Sequence, residues 1–213
     1  MIESAVCSDL PPSRAEQRRR LVIDTARKLF TDHGFHATGM AQLAKDSGVA
    51  VGQIYRDFGS KEDIVAAICN ADCRTLMMAD KLANAIESGD SAGVRAWLRH
   101  LLDVENAGTD DRLFAEIVAE ATRNARVATI FNDLRETFRA NLHAALAMLA
   151  PGEALAERRQ LVADAIMALS LGMMYFQLLH QPPDMAARNE MLVAFIDGEI
   201  DALCRDTRVH APA

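Results

Sequence analysis

Two short apolar-patterned segments meet at Gly48, and that junction limits what the chain can fold into more than any other feature. Residues 37–61 read Ala-Thr-Gly-Met-Ala-Gln-Leu-Ala-Lys-Asp-Ser-Gly-Val-Ala-Val-Gly-Gln-Ile-Tyr-Arg-Asp-Phe-Gly-Ser-Lys. Leu43 and Ala44 give the first segment an apolar stripe, and Ile54, Tyr55 and Phe58 recur at helical spacing in the second. Gly48 stands where a chain leaves a helix with positive φ, and Val49 fills the corner. So short a connection makes the two helices cross steeply, as a helix-turn-helix does. In such a unit the second helix lies in the DNA major groove with its first residues toward the base edges.

The rest of the chain also reads as helix. Ser13-Arg-Ala-Glu16 is a capping box that opens a helix ending at Gly34. Ser60 caps a segment with acidic residues in its first turn, predicted as one long helix to about Gly89 through Ile64, Ile68, Leu76, Leu82 and Ile86. Further helices are predicted after Ser91, after Thr109, from about Ala125 to the Pro151-Gly152 break, from Glu153 to His180, and beyond Pro182-Pro183. No strand, internal repeat or low-complexity tract is evident. The expectation is an all-α chain: a three-helix DNA-binding domain followed by a helical bundle, about nine helices in all. The expected division is a loose arm at 1–12, the DNA-binding domain at 13–60, a body at 61–206 and a tail at 207–213.

A formal charge of -7 over 213 residues argues at first against nucleic acid. Its distribution argues the other way. From Arg14 to Lys61 the balance is +4, whereas from residue 71 onward it is -7. A basic head on an acidic body suits a protein that meets phosphates at one end only. No apolar run approaches the roughly 20 residues of a membrane span, and the first residues lack a basic start followed by an apolar core. The expected location is the cytoplasm. Cys7, Cys69, Cys73 and Cys204 form no disulfide-dense pattern.

Residues 18 to 64 resemble the DNA-binding domain of the TetR family of transcriptional regulators. The likeness is carried by Ala26, Leu29, Phe30, Gly34-Phe35, Ala37-Thr38, Leu43-Ala44, Gly48-Val49, Ile54-Tyr55, Phe58, Ser60-Lys61 and Ile64. The resemblance implies a regulator, commonly a repressor, that binds a palindromic operator as a homodimer and responds to a small molecule. It also implies that Tyr55 and Lys61 contact phosphates and that Thr38 holds a phosphate or caps a helix. Gln53 can donate to and accept from an adenine edge, Val51 can touch a thymine methyl, Gly52 lets the backbone come close, and Arg56 suits a phosphate or a base. Two departures stand out: Ala50 replaces the usual capping hydroxyl, and Asp57 puts a carboxylate where it can repel phosphate or pair with Arg56.

A two-fold pair of such heads is physically expected, because one helix reads few bases. The last two long helices are the candidates for joining it, through Ala165, Leu169, Gly172, Leu192, Phe195 and Ile196. The effector is expected to be a small apolar or amphipathic molecule in a body cavity. The candidate lining is Met77, Trp97, His100, Leu101, Phe114, Phe131, Phe138, Asn141, Met173, Tyr175, Phe176 and Gln177. The ligand acts only through its differential affinity for two states of the body.

The rival reading is a helical-bundle enzyme, or a metal or redox sensor built from Cys69, Cys73 and His100. The sequence holds no Gly-rich phosphate loop, His-Glu-x-x-His, Gly-x-Ser-x-Gly or paired Glu-x-x-His. No catalytic residue, metal ligand or cofactor is therefore expected.

Overall fold

A computed structural model describes residues 13–102, 110–180 and 185–209. The described residues form ten α-helices and no strand: α1 Arg14–His33, α2 Met40–Ser47, α3 Val51–Phe58, α4 Lys61–Met77, α5 Ala79–Glu87, α6 Ser91–His100, α7 Asp111–Ala121, α8 Ala125–Leu149, α9 Ala156–His180 and α10 Met185–Val209. The arm at 1–12 and residues 210–213 lie outside the described residues, while Thr207 to Val209, expected in the tail, form the end of α10.

Local chemistry sets the helix ends. Both halves of the Ser13/Glu16 capping box are made, with the Ser13 N–H donating to Glu16 Oε2 at 2.7 Å. Asp90, Asp110 and Asn124 accept from the first free N–H groups of α6, α7 and α8. Gly48 ends α2 at φ 68° and ψ 10°, and a Cβ added there would meet open space. Its requirement is therefore conformational. Replacing Gly48 with valine should cost about 1–2 kcal/mol, the penalty of left-handed backbone with a Cβ, read as a lower urea midpoint for the first unit.

The long helix expected over residues 61–88 is two helices. Met78, at φ 37° and ψ 49°, is the described non-glycine residue with positive φ, and it separates α4 from α5. The indole N–H of Trp97 donates to the Met77 carbonyl at 2.5 Å. That bond takes up a carbonyl beside the break, and the count becomes ten.

The chain separates into two compact units, divided between Ile68 and Cys69. The division falls inside α4, eight residues past the expected boundary. Ile64, Val65 and Ile68 are fully buried, and the Ile68 carbonyl accepts from Arg27 Nη2 of α1 at 3.5 Å, so the first turns of α4 finish the first unit. That unit's core is Val22, Ala26, Leu29, Phe30, Phe35, Leu43, Ile54 and Phe58. The second unit packs α5, α6, α8, α9 and α10 around Val94, Trp97, Leu98, Leu142, Leu146, Ile166 and Ile200.

Candidate DNA-binding face and body cavity

Helix α3 has one inward face and one outward face. Ile54 and Phe58, four residues apart, are buried, while Val51, Gly52, Tyr55 and Arg56 are exposed. A Cβ at Gly52 would meet nothing within 4 Å, so no packing inside the protein demands glycine there.

Asp57 is the anchor behind this face. Its carboxylate accepts from Arg18 Nε at 2.7 Å, Arg18 Nη2 at 3.1 Å and Gln53 Nε2 at 3.0 Å. The Arg18 hydrogen bonds hold its pKa below the usual carboxylate range, against the cost of burial and with help from Gln53. Arg19 donates to the Asp57 carbonyl, and its guanidinium lies 4.2 Å from the centre of the Phe58 ring. Asp57 therefore pairs with Arg18 of α1, not with Arg56, and the carboxylate expected to repel phosphate is neutralised from within. Arg56 instead donates to the Gln53 amide oxygen. Arg18 and Arg19 were not singled out from sequence, because a partner thirty-nine residues away leaves no local pattern.

Thr38 takes the capping one of its two expected roles, and Lys61 is held within the protein. Thr38 is only 2% exposed, and its hydroxyl donates to the Leu29 and Gly34 carbonyls at 3.2 and 2.9 Å. It locks the end of α1 and has no hydroxyl to offer a phosphate. The Lys61 ammonium donates to the Phe35 and Thr38 carbonyls at 2.5 and 2.9 Å and lies 4.0 Å from the Phe35 ring centre. In this structure it ties the start of α4 to the α1–α2 loop.

The body holds a cavity of about 210 Å³, lined by residues of α4, α7, α8 and α9 and by Leu101. Of the expected lining, Met77, Leu101, Phe114, Phe131 and Phe138 are there. The Phe114 and Phe131 rings meet at 5.7 Å, tilted by 59°. The same wall includes Cys69, Cys73, Leu76, Leu113, Ile117, Leu134, Met167, Leu171 and Met174, with Asp72, Asp110, Asp111, Arg135 and Ser170 as its polar members. Burial, then neighbouring Asp110, pushes the Asp111 carboxyl above its ordinary pKa. Burial, then Asp72, likewise raises the Cys73 thiol.

The remaining expected lining residues fall elsewhere. Trp97 and Met173 are buried outside the cavity wall, and Asn141 is half-buried off it. Tyr175 and Phe176 face outward, and the Gln177 side chain lies outside what is described. His100 lines a separate recess with Met78, Lys81 and Trp97, whereas Cys69 and Cys73 line the cavity, so the three do not share one site. Its buried Nε2 has no hydrogen-bond partner among the described residues. Periodicity marks apolar faces, but not which apolar side chains border empty space.

The outer faces of α9 and α10 expose Leu161, Leu171, Phe176, Leu179, Met191 and Phe195, the last 56% exposed. Of the expected joining residues, Phe195 lies on this face, and Ala165, Gly172 and Leu192 are half-buried. Ile196 is 2% exposed and Leu169 packs on the core, so both serve the protomer's own interior. No helix among the described residues is long and apolar enough to cross a membrane.

Two short helices, α2 and α3, joined by a turn at Gly48 and with an open outer face on α3, match a helix-turn-helix. Residues 22–68 match the family of bacterial regulatory proteins, tetR family. The chain is similar to the HTH-type transcriptional regulator HbdR of Aromatoleum sp. strain CIB, at 41% identity over 54 residues, 25% of this chain and 24% of that one. It is similar to the HTH-type transcriptional regulator UidR of Escherichia coli K12, at 27% identity over 126 residues, 59% of this chain and 62% of that one. These matches span less than two thirds of either relative. Among solved structures, a TetR-family transcriptional regulator from Streptomyces coelicolor aligns with TM-score 0.68 and 22% identity, covering 91% of this chain and 92% of that one; that likeness speaks to the fold. Residues 22–68 therefore carry the DNA-binding domain of the tetR family, and the remaining residues share the fold of its solved members.

Proposed function

We propose that the chain is a ligand-responsive regulator of transcription rather than an enzyme: a cytoplasmic homodimer that binds a palindromic operator as a repressor and is released by a small apolar or amphipathic effector in the body cavity. The observation that carries the reading is the outer face of α3. Val51, Gly52, Tyr55 and Arg56 lie in the open on a helix whose opposite side is firmly anchored by Ile54, Phe58 and the Arg18–Asp57 pair. A surface of that kind is preorganised for a groove. The basic head and acidic body support the same division of labour.

The cavity supports the effector half of the reading. At about 210 Å³ it exceeds the roughly 150 Å³ apolar cavity known to hold benzene, so a compact one- or two-ring molecule fits it. Apolar lining with a few polar groups is the usual makeup of small-molecule sites. The effector shifts the protein between states of different operator affinity only as far as it binds one better.

The test is a gel shift with DNA from upstream of the chain's own gene, at low and at physiological salt. Tyr55→Ala should weaken binding to every sequence alike. Gln53→Ala should instead change which bases are preferred, at a discrimination of about 1–3 kcal/mol per base. No retarded band at low salt sinks the regulator reading. An unchanged base preference in the Gln53 variant removes that residue from base reading.

A further inference from the structure

We propose that the base-reading side chain of α3 is Arg56, which takes a guanine, and that Gln53, Asp57 and Arg18 are positioning residues that aim it. The inference rests on the DNA-binding reading and names the residue and the base behind it. Side chains of α1 and α3 form one hydrogen-bonded line that ends on the open face of α3. Arg18 grips both Asp57 oxygens, Nε to Oδ2 at 2.7 Å and Nη2 to Oδ1 at 3.1 Å. Such a fork fixes the plane of the carboxylate. The Asp57 side chain is only 11% exposed. Its Oδ1 also accepts from Gln53 Nε2 at 3.0 Å, one turn back along α3. Gln53 Oε1 in turn accepts from Arg56 Nη2.

Charge allows only one arrangement of this line. A carboxylate accepts and a guanidinium donates, so the Gln53 amide must turn its nitrogen to Asp57 and its oxygen to Arg56. Both ends of that amide are engaged within the protein, which weakens Gln53 as a direct reader of an adenine edge. Arg56 is exposed, spends one N–H on Gln53 and keeps its other donors. In the major groove guanine offers O6 and N7 as acceptors, whereas adenine sets an amino donor beside its N7. A guanidinium has no acceptor for that donor, so guanine is the base it fits. A free arginine loses rotamer freedom when it binds, and one already held by Gln53 loses less.

The experiment uses the full chain and a randomised duplex library, selected for binding at physiological salt and sequenced. The parent should enrich guanine at one position in each half-site. Arg56→Lys keeps the charge but not the fork, and should lower that preference about 5- to 150-fold while the rest of the motif stays. Gln53→Ala and Asp57→Asn should each weaken the preference at the same position, and neither should shift it further once Arg56 is replaced. Circular dichroism checks that each variant stays helical, and the Gln53 variant carries the test should the Asp57 variant unfold. Unchanged guanine enrichment in Arg56→Lys, or loss of affinity for all sequences alike as a phosphate contact gives, overturns the assignment. So does a base preference that Gln53→Ala still alters in the Arg56→Lys background. A parent that enriches no sequence at all fells the DNA-binding reading, and the proposal with it.

Discussion

Phe195→Asp should turn the protein into a monomer at micromolar concentration and lower its operator affinity by about a thousandfold or more, the usual margin between specific and non-specific binding. The expectation comes from what α9 and α10 leave uncovered. Leu161, Phe176, Leu179, Met191 and Phe195 are each more than half exposed, a density of large apolar side chains that monomeric surfaces seldom carry. A second copy of the same face is the simplest cover, because a two-fold interface is self-complementary. A carboxylate at Phe195 puts a charge into the centre of that apolar cover, where burying it is costly. A head that reads one half-site keeps only the phosphate contacts of a single α3. Sedimentation velocity gives the mass, and the gel shift gives the affinity. A dimer that survives the substitution with unchanged operator binding shows that the two protomers meet elsewhere.

The helix ends of the first unit were legible in the sequence, though not its close at Ile68, and the reason is local. Gly34, Gly48 and Gly59 each close a helix with positive φ, so composition alone punctuates α1, α2 and α3. In the body the starts of α6, α7 and α8 were expected after Ser91, after Thr109 and near Ala125, and Asp90, Asp110 and Asn124 cap them. What stayed hidden depended on three-dimensional neighbours. Met78 takes a left-handed conformation without being glycine, and nothing in its identity announces the break between α4 and α5. For Thr38 the sequence leaves two uses open, phosphate ligand or helix cap, because a threonine hydroxyl serves either. Only its 2% exposure and two carbonyl partners decide between them. The Arg18–Asp57 pair changes the meaning of Asp57 from a liability on the groove face to the tie that orients it. In the body, five of the twelve expected lining residues border the cavity, because the sequence pattern separates inside from outside but not packed interior from void.

Trp97 is the clearest case of that last distinction, and it carries the largest expected stability effect. Its side chain is 5% exposed and sits in the core with Leu98, Leu102 and Leu146, off the wall of the 210 Å³ cavity and with one edge on the recess beside His100. Trp97→Ala should therefore destabilise the body by about 3–5 kcal/mol, the range for truncating a large buried aromatic side chain. A cavity-lining residue would behave differently, since its removal enlarges an existing space and costs less. Trp97→Phe separates packing from polarity. It keeps most of the volume but leaves the Met77 carbonyl without the indole N–H, which should cost a further 1–3 kcal/mol or so if no water replaces the donor. Because that carbonyl stands next to the left-handed Met78, the phenylalanine variant should also loosen the α4–α5 junction. Faster amide exchange at Met78 and Lys81, whose N–H groups bond across the break to Arg74 and Met78, reads that directly. Urea unfolding of the body gives the energies. A Trp97→Ala loss below about 1 kcal/mol would mean that the indole adds little to the packing of the body core.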